Sequence, residues 1–94
     1  MSDLQLSIHH NEQSQRFETT VDGTTAYLSY QVQGDKLVHD HTIVPDAIGG
    51  RGIAGALTKH ALDYARKQGK KVVPACSYVA SYLQKHPEYS DLKA

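Results

Sequence analysis

Up to Val44, apolar residues alternate with polar ones; from Gly52 onward they recur every third or fourth position. A period of two belongs to half-buried strands, and a period near 3.6 to an amphipathic helix. A sheet therefore has to hand over to a helix across the short segment Pro45 to Gly52. Four of the seven glycines of the chain lie between Gly49 and Gly55. Glycine permits positive φ and lets a ligand come close to the main chain. The first turn of a helix leaves N–H groups unpaired at the positive end of the macrodipole. Together these features make a seat for phosphate or pyrophosphate. The first expectation is that this turn holds the diphosphate of a cofactor.

The flanking elements follow from the same two periods. Leu4, Leu6 and Ile8 alternate with Gln5, Ser7 and His9, which predicts a first strand before a polar turn at Asn11 to Ser14. Arg16 to Val21 predicts a second, with Phe17, Thr19 and Val21 on one face. Asp22-Gly23 predicts a hairpin. Ala26 to Val32 and Lys36 to Val44 predict two more strands joined at Gly34-Asp35, with Leu37, His39, His41 and Ile43 sharing a face of the last. Asp40 and Thr42 then belong to the other face. Pro45 stops pairing. In the helix from Gly52 to Gln68, Ile53, Leu57, Ala61 and Ala65 form the apolar stripe, with Ala54, Thr58 and Leu62 beside it. Gly69 suits its C-terminal end. Lys71 to Ala75 predicts a fifth strand, Tyr78 to His86 a last helix capped by Ser77 and ended by Pro87, and Glu88 to Ala94 an irregular tail.

The order is ββββ-α-β-α, an α+β fold with a mostly antiparallel sheet. The helix between strands four and five makes that pair parallel through a right-handed crossover. Pro74 limits how far the fifth strand can pair, so a gap is expected between strands four and five in front of the glycine turn.

Ninety-four residues, 39% of them hydrophobic, suit a single domain over residues 1–94. Ten basic and ten acidic residues balance, which argues against a nucleic-acid partner and makes the six tyrosines packing groups rather than base-stacking platforms. One cysteine forms no internal disulfide, no apolar run has the length of a membrane helix, and the N-terminus lacks an apolar leader. These features predict a soluble cytoplasmic protein without a membrane partner. His39-x-His41 places two imidazoles at metal-ligand spacing, yet without paired cysteines or a carboxylate on that face; no metal is expected.

Three phosphate motifs compete for the glycines. A P-loop fails, because Gly55 is followed by Ala56-Leu57 instead of Lys-Ser/Thr. Gly50-x-Gly52-x-x-Gly55 spells the dinucleotide fingerprint, but Lys70 to Cys76 carries no carboxylate for the ribose, and the strand before it closes an antiparallel meander. Third, Gly52-Ile53-Ala54 opening a helix after Val44-Pro45 resembles the pyrophosphate-binding signature of GNAT-type N-acetyltransferases, Gln/Arg-x-x-Gly-x-Gly/Ala. His41-Thr42, Pro74-Ala75-Cys76-Ser77-Tyr78 and Tyr82 with His86-Pro87-Glu88-Tyr89 extend the resemblance to the short single-domain branch of that superfamily, over about Tyr27 to Leu92. The signature's Gln/Arg position is Gly49 here; Arg51 stands two residues later. A plain glycine turn between strand and helix is the competing reading.

The resemblance implies acetyl-CoA as cosubstrate and an amine, on a protein or a small molecule, as acceptor. It places the diphosphate on Gly49, Gly50, Arg51, Gly52, Ile53 and Ala54, the thioester on the backbone of Ile43 and Val44, and further coenzyme contacts at Cys76 and Ser77. Cys76, just before a helix, is expected to favour thiolate and to act either as an acetyl-carrying nucleophile or as the proton source at the coenzyme sulfur; an inert buried cysteine is the bland alternative. His41 is the candidate base. Tyr82 is the candidate proton donor to the departing thiolate, against a packing role. The short Asn11 to Ser14 connection leaves no room for the helices that shape acceptor sites in larger members. A non-catalytic acyl-CoA-binding or protein-interaction module is therefore the second functional reading.

Overall fold

The computed structural model describes residues 6–94. Five strands form one sheet in the order β1 (His9–Asn11), β2 (Arg16–Val21), β3 (Thr24–Gln33), β4 (Lys36–Ile43) and β5 (Lys71–Pro74). The first four are antiparallel, and β4 and β5 are parallel. Helix α1 (Ile53–Gln68) makes the crossover, and α2 (Ser77–Lys85) follows β5. The architecture expected from the periods is the one observed.

One face of the sheet carries the core. Phe17, Ala26, Leu28, Tyr30, Leu37 and Val72 point inward and are fully or almost fully buried. They meet Ile53, Leu57, Ala61, Leu62 and Ala65 of α1 together with Val79 and Leu83 of α2. The apolar stripe of α1 is thus the one its fourfold spacing predicts. Gly69 ends the helix in a left-handed conformation, its N–H donating to the carbonyls of Ala65 and Arg66. Asp22 and Gly23 both take positive φ in the β2–β3 turn, the geometry that matches the twist of a two-residue hairpin.

Three expectations need correction. First, Leu6 to Ile8 are not in a strand, although Leu6 and Ile8 pack against the core; Leu4 and Gln5 lie outside the described residues. The edge strand falls instead on His9–Asn11, because His10 finds partners inward: it stacks on Phe17 with ring centroids 4.2 Å apart and hydrogen-bonds the Tyr30 hydroxyl. Second, the tail is ordered. Pro87–Leu92 forms a 3-10 helix whose threefold repeat buries Tyr89 and Leu92. Tyr89 donates to Asp63 at 2.7 Å, and Arg66 grips both carboxylate oxygens of Asp91.

Third, β4 does not keep one alternation along its length. Tyr30 pairs with His39, but Ser29 pairs with His41, so Asp40 is an extra residue opposite a continuous β3. This is a β-bulge, which bends the strand and shifts its facing. Before it, Leu37 and His39 point into the core; after it, Thr42 is the inward residue, paired with the buried Leu28. Asp40, His41 and Ile43 all belong to the outer face. His39 and His41 therefore lie on opposite sides of the sheet, and the paired-imidazole spacing read from the sequence dissolves.

Candidate functional site

The parallel β4–β5 ladder ends at His39 opposite Pro74, and one further bond, from the Cys76 N–H to the His39 carbonyl at 2.8 Å, closes it. Pro74 has no N–H to offer, and the chain turns into α2 at Ser77. Beyond His39, β4 runs on to Ile43 without a β5 partner. The predicted gap is present, and Cys76 stands at its fork.

Above the gap, the chain passes through a 3-10 turn at Asp46–Ile48 and the glycine segment into α1. Ile48 is buried and pins the turn to the core. Gly50 and Gly52 both have φ of 75°, and a Cβ built on either would meet nothing within 4 Å. Their backbones are in the left-handed region that side chains disfavour, and they face open space. Gly52 is the N-cap of α1, so no side chain caps that helix, and its first turn holds no acidic residue. The orphan amides at this end keep their capacity for an anion. Ile53 is buried in the core and Ala54 half-exposed, so of these two only backbone is offered to a ligand. Arg51 does not cover the turn: its guanidinium pairs with Asp22 of the β2–β3 hairpin at 2.9 Å, a surface contact that stabilises little. The backbone at Gly49 is extended, and its N–H returns to Asp46.

At the fork, Cys76 is half-buried and free. Its Sγ lies 3.4 Å from Thr42 Oγ1. Burial pushes the thiol up, but the Thr42 hydroxyl and the backbone N–H groups of Val79, Tyr78 and Thr42 outweigh it, and the net shift is downward. Two of those amides are the first turn of α2, where thiolate is favoured. Thr42 enters the sequence reading through the His41-Thr42 match and without a role, because a uniform alternation puts it on the wrong face. The bulge brings it to the sulfur.

Tyr82 lies further along α2. Six residues after Cys76 on the same helix, it sits about 9 Å along the axis. It stacks on His86 with centroids 4.0 Å apart, and a Cβ built on Gly55 would lie 3.9 Å from its ring and 3.4 Å from the Tyr78 hydroxyl. These are ordinary contact distances, so α2 passes close to the first turn of α1 there, and both tyrosines line a shallow pocket with Gly55, Ser81, Lys85 and His86. Burial raises the Tyr82 phenol, so it keeps its proton. Ser77 is exposed at the start of α2. On the other side of the gap, His41 is exposed on the outer face, Ile43 is 43% exposed beside it, and Val44 packs against the core. Among the described residues there is no group of three His, Cys, Asp or Glu side chains that would hold a metal ion, and no helix is long and apolar enough to cross a membrane.

A sheet that forks at a cysteine, under a glycine turn that opens a helix, has clear relatives. The family of GCN5-related N-acetyl-transferases matches residues 16–92. The mouse protein NATD1 is 35% identical over 85 residues, covering 87% of this chain and 77% of its own, and human NATD1 is 34% identical over the same length. A GCN5-like protein from Staphylococcus aureus, known from its solution structure, superposes with a TM-score of 0.75 at 29% identity, covering 95% of this chain and 88% of its own. The chain belongs to the GCN5-related N-acetyltransferase family.

Proposed function

We propose that this protein is an acetyl-CoA-dependent N-acetyltransferase in which Cys76 carries the acetyl group and His41 receives the acceptor's proton. The observation that carries the reading is the fork itself: β4 runs on unpaired past a thiol with a lowered pKa, and the chain leaves that edge for an uncapped helix N-terminus. The coenzyme fits what is present, because Gly50 and Gly52 turn bare left-handed backbone to open space and the first amides of α1 lack a side-chain cap. Gly50, Arg51, Gly52, Ile53 and Ala54 would hold the diphosphate through backbone donors, with Gly49, whose N–H is taken by Asp46, setting the approach to them, and Ile43, Val44 and Ser77 would flank the arm. Bound acetyl-CoA supplies an acetyl thioester.

The chain's own groups then divide the work. The Cys76 thiolate forms a bond to the acetyl carbonyl carbon as that carbon parts from the coenzyme sulfur, and the departing thiolate takes a proton for which the protonated Tyr82 phenol is the candidate donor. Backbone N–H groups of the open β4 edge stabilise the oxyanion. An amine then attacks the acetyl-cysteine: a C–N bond forms, the bond to Sγ breaks, and the amine proton passes to His41 from the outer face. Thr42, one residue from His41 and on the other side of the strand, holds the regenerated thiolate.

Incubation with acetyl-CoA alone should add one acetyl group to Cys76, seen by mass spectrometry, and Cys76→Ala should lose it together with turnover. Turnover that survives in Cys76→Ala would leave direct transfer; no melting shift with acetyl-CoA would remove the reading altogether. A second reading, a coenzyme-binding module without turnover, draws on Gly49 standing where the signature has Gln or Arg and on Arg51 being engaged by Asp22. Coenzyme binding with neither acetyl-cysteine nor thiol release over a panel of amines would favour it.

A further inference from the structure

The outer face of the sheet is the other half of the fork. Both helices pack on the inner face, and among the described residues no helix covers the outer one. Arg16, Ser29 and His41 lie side by side across β2, β3 and β4; Glu18, Tyr27 and Ile43 form the next row. Most charge here is already matched: Arg16 pairs with Glu18 at 3.3 Å and lies over the Tyr27 ring. Asp40 is different. The bulge turns it outward beside His41, and its carboxylate accepts from Ser29 Oγ at 2.6 Å and Gln31 Nε2 at 3.1 Å. It pairs with no cation among the described residues. Burial pushes its carboxyl up, but those two bonds, its own amide and His41 outweigh that, so the group is held ionised. A fixed, ionised carboxylate with spare lone pairs, next to a histidine at the mouth of the cleft, is complementary to an ammonium group.

We infer that Asp40 anchors the acceptor amine on this open face, and that the acceptor is a lysine side chain presented by another protein. This rests on the acetyltransferase reading above. Ile43, exposed on the same face, gives apolar area for the lysine stem. The face is a bare sheet rather than a pocket, so a small amine would meet only one wall, whereas a protein brings its own second wall. Asp40 is a specificity residue, and His41 beside it takes the proton.

The test uses isotope-labelled full-length protein saturated with CoA. It is titrated with a blocked peptide carrying one lysine between glycines, and with the same peptide carrying norleucine. Amide shifts at Ser29, Gln31, Asp40 and His41 are expected with the lysine peptide only. Asp40→Asn, which can keep the bonds to Ser29 and Gln31, should weaken that binding roughly fivefold, the size of a partly exposed ion pair, while leaving the CoA melting shift unchanged. Ser29→Ala should weaken it less. Shifts that map elsewhere, equal binding of the norleucine peptide, undiminished binding to Asp40→Asn, or saturable binding of spermidine with none of the peptide would each overturn the assignment. Loss of the CoA melting shift in the unmodified protein would instead bring down the acetyltransferase reading beneath it.

Discussion

His39 sits under the fork, fully buried, with neither ring nitrogen hydrogen-bonded. Burial lowers its pKa from the usual 6.5 to about 4, against a smaller opposing pull from Asp40. An unfolded chain with an ordinary histidine binds a proton that the folded chain refuses. The stability is therefore full above pH 6.5 and is lost as pH falls toward 4. At pH 5 the loss is about 2 kcal/mol, from roughly 1.5 pH units at 1.36 kcal/mol each; it approaches about 3 kcal/mol by pH 4. For a domain of this size, 2 kcal/mol corresponds to a fall of about 8–16 °C in melting temperature. His10, whose pKa is also lowered by burial and by the neighbouring His60 and His9 against Glu12, drifts the same way, so the wild type alone does not isolate His39. The comparison is therefore with His39→Leu, melted at pH 8 and pH 5. The variant should lose about 2 kcal/mol less between the two conditions, with the His10 share remaining. At pH 8 it should be at least as stable as the wild type, since two unsatisfied nitrogens leave the core. Equal losses in both proteins would refute the reasoning, because they would mean that His39 is protonated or solvated in the folded state. The link to function is direct: the His39 carbonyl receives the Cys76 N–H at the end of the β4–β5 ladder. Acid should open the fork before it unfolds the sheet, and loss of amide-exchange protection at Cys76 below pH 6 would register it.

Other expectations follow from the same geometry. Gly52→Asp places a negative charge at the N-cap and a side chain at φ 75°; it should abolish the melting shift produced by CoA, whereas Gly52→Ala, with strain but no charge, should keep part of it. Thr42→Val removes the hydroxyl 3.4 Å from Cys76 Sγ, so the thiol pKa should rise and alkylation by iodoacetamide at pH 7 should slow several-fold; an unchanged rate would mean that the α2 amides alone hold the thiolate. Leu57→Ala, at a fully buried position of α1, should cost about 2–5 kcal/mol by chemical unfolding without changing the denaturant slope.

How much of this was legible beforehand depends on which interaction decides each position. The period-two runs and the stripe of α1 come from burial, which writes itself directly into residue type, and the structure follows them from Arg16 to His39 and again from Ile53 to Gln68. Pro74 marks the end of β4–β5 pairing because a missing N–H is a local fact. The tail was missed because its order comes from tertiary partners: Asp63 for Tyr89, Arg66 for Asp91. The bulge was missed for a deeper reason. Bulges leave a clear trace when they use a glycine, but this one sits in His39-Asp40-His41, which reads as unbroken alternation. Its only trace is the Ser29 and Gln31 pair across the strand, polar groups spaced to receive one carboxylate, which becomes visible once β3 and β4 are in register.

That single extra residue carries the functional consequence. Were Asp40 paired in regular alternation instead, His41 would join His39 inside and Thr42 would face solvent, leaving Cys76 without its hydroxyl and the outer face without its base. With the bulge, the same strand offers a thiol partner inward and an imidazole with a carboxylate outward, one residue apart, where the sheet has just come open. Two substrates can then approach from opposite sides of one strand and meet at its edge. Deleting Asp40 should remove the bulge and keep the facing beyond it, with His41 outward and Thr42 inward: the sheet should still form and the Cys76 thiol should keep its lowered pKa, while the outer face loses its carboxylate. A deletion variant whose thiol alkylates several-fold more slowly would show that the facing of Thr42 is not set by this one-residue count.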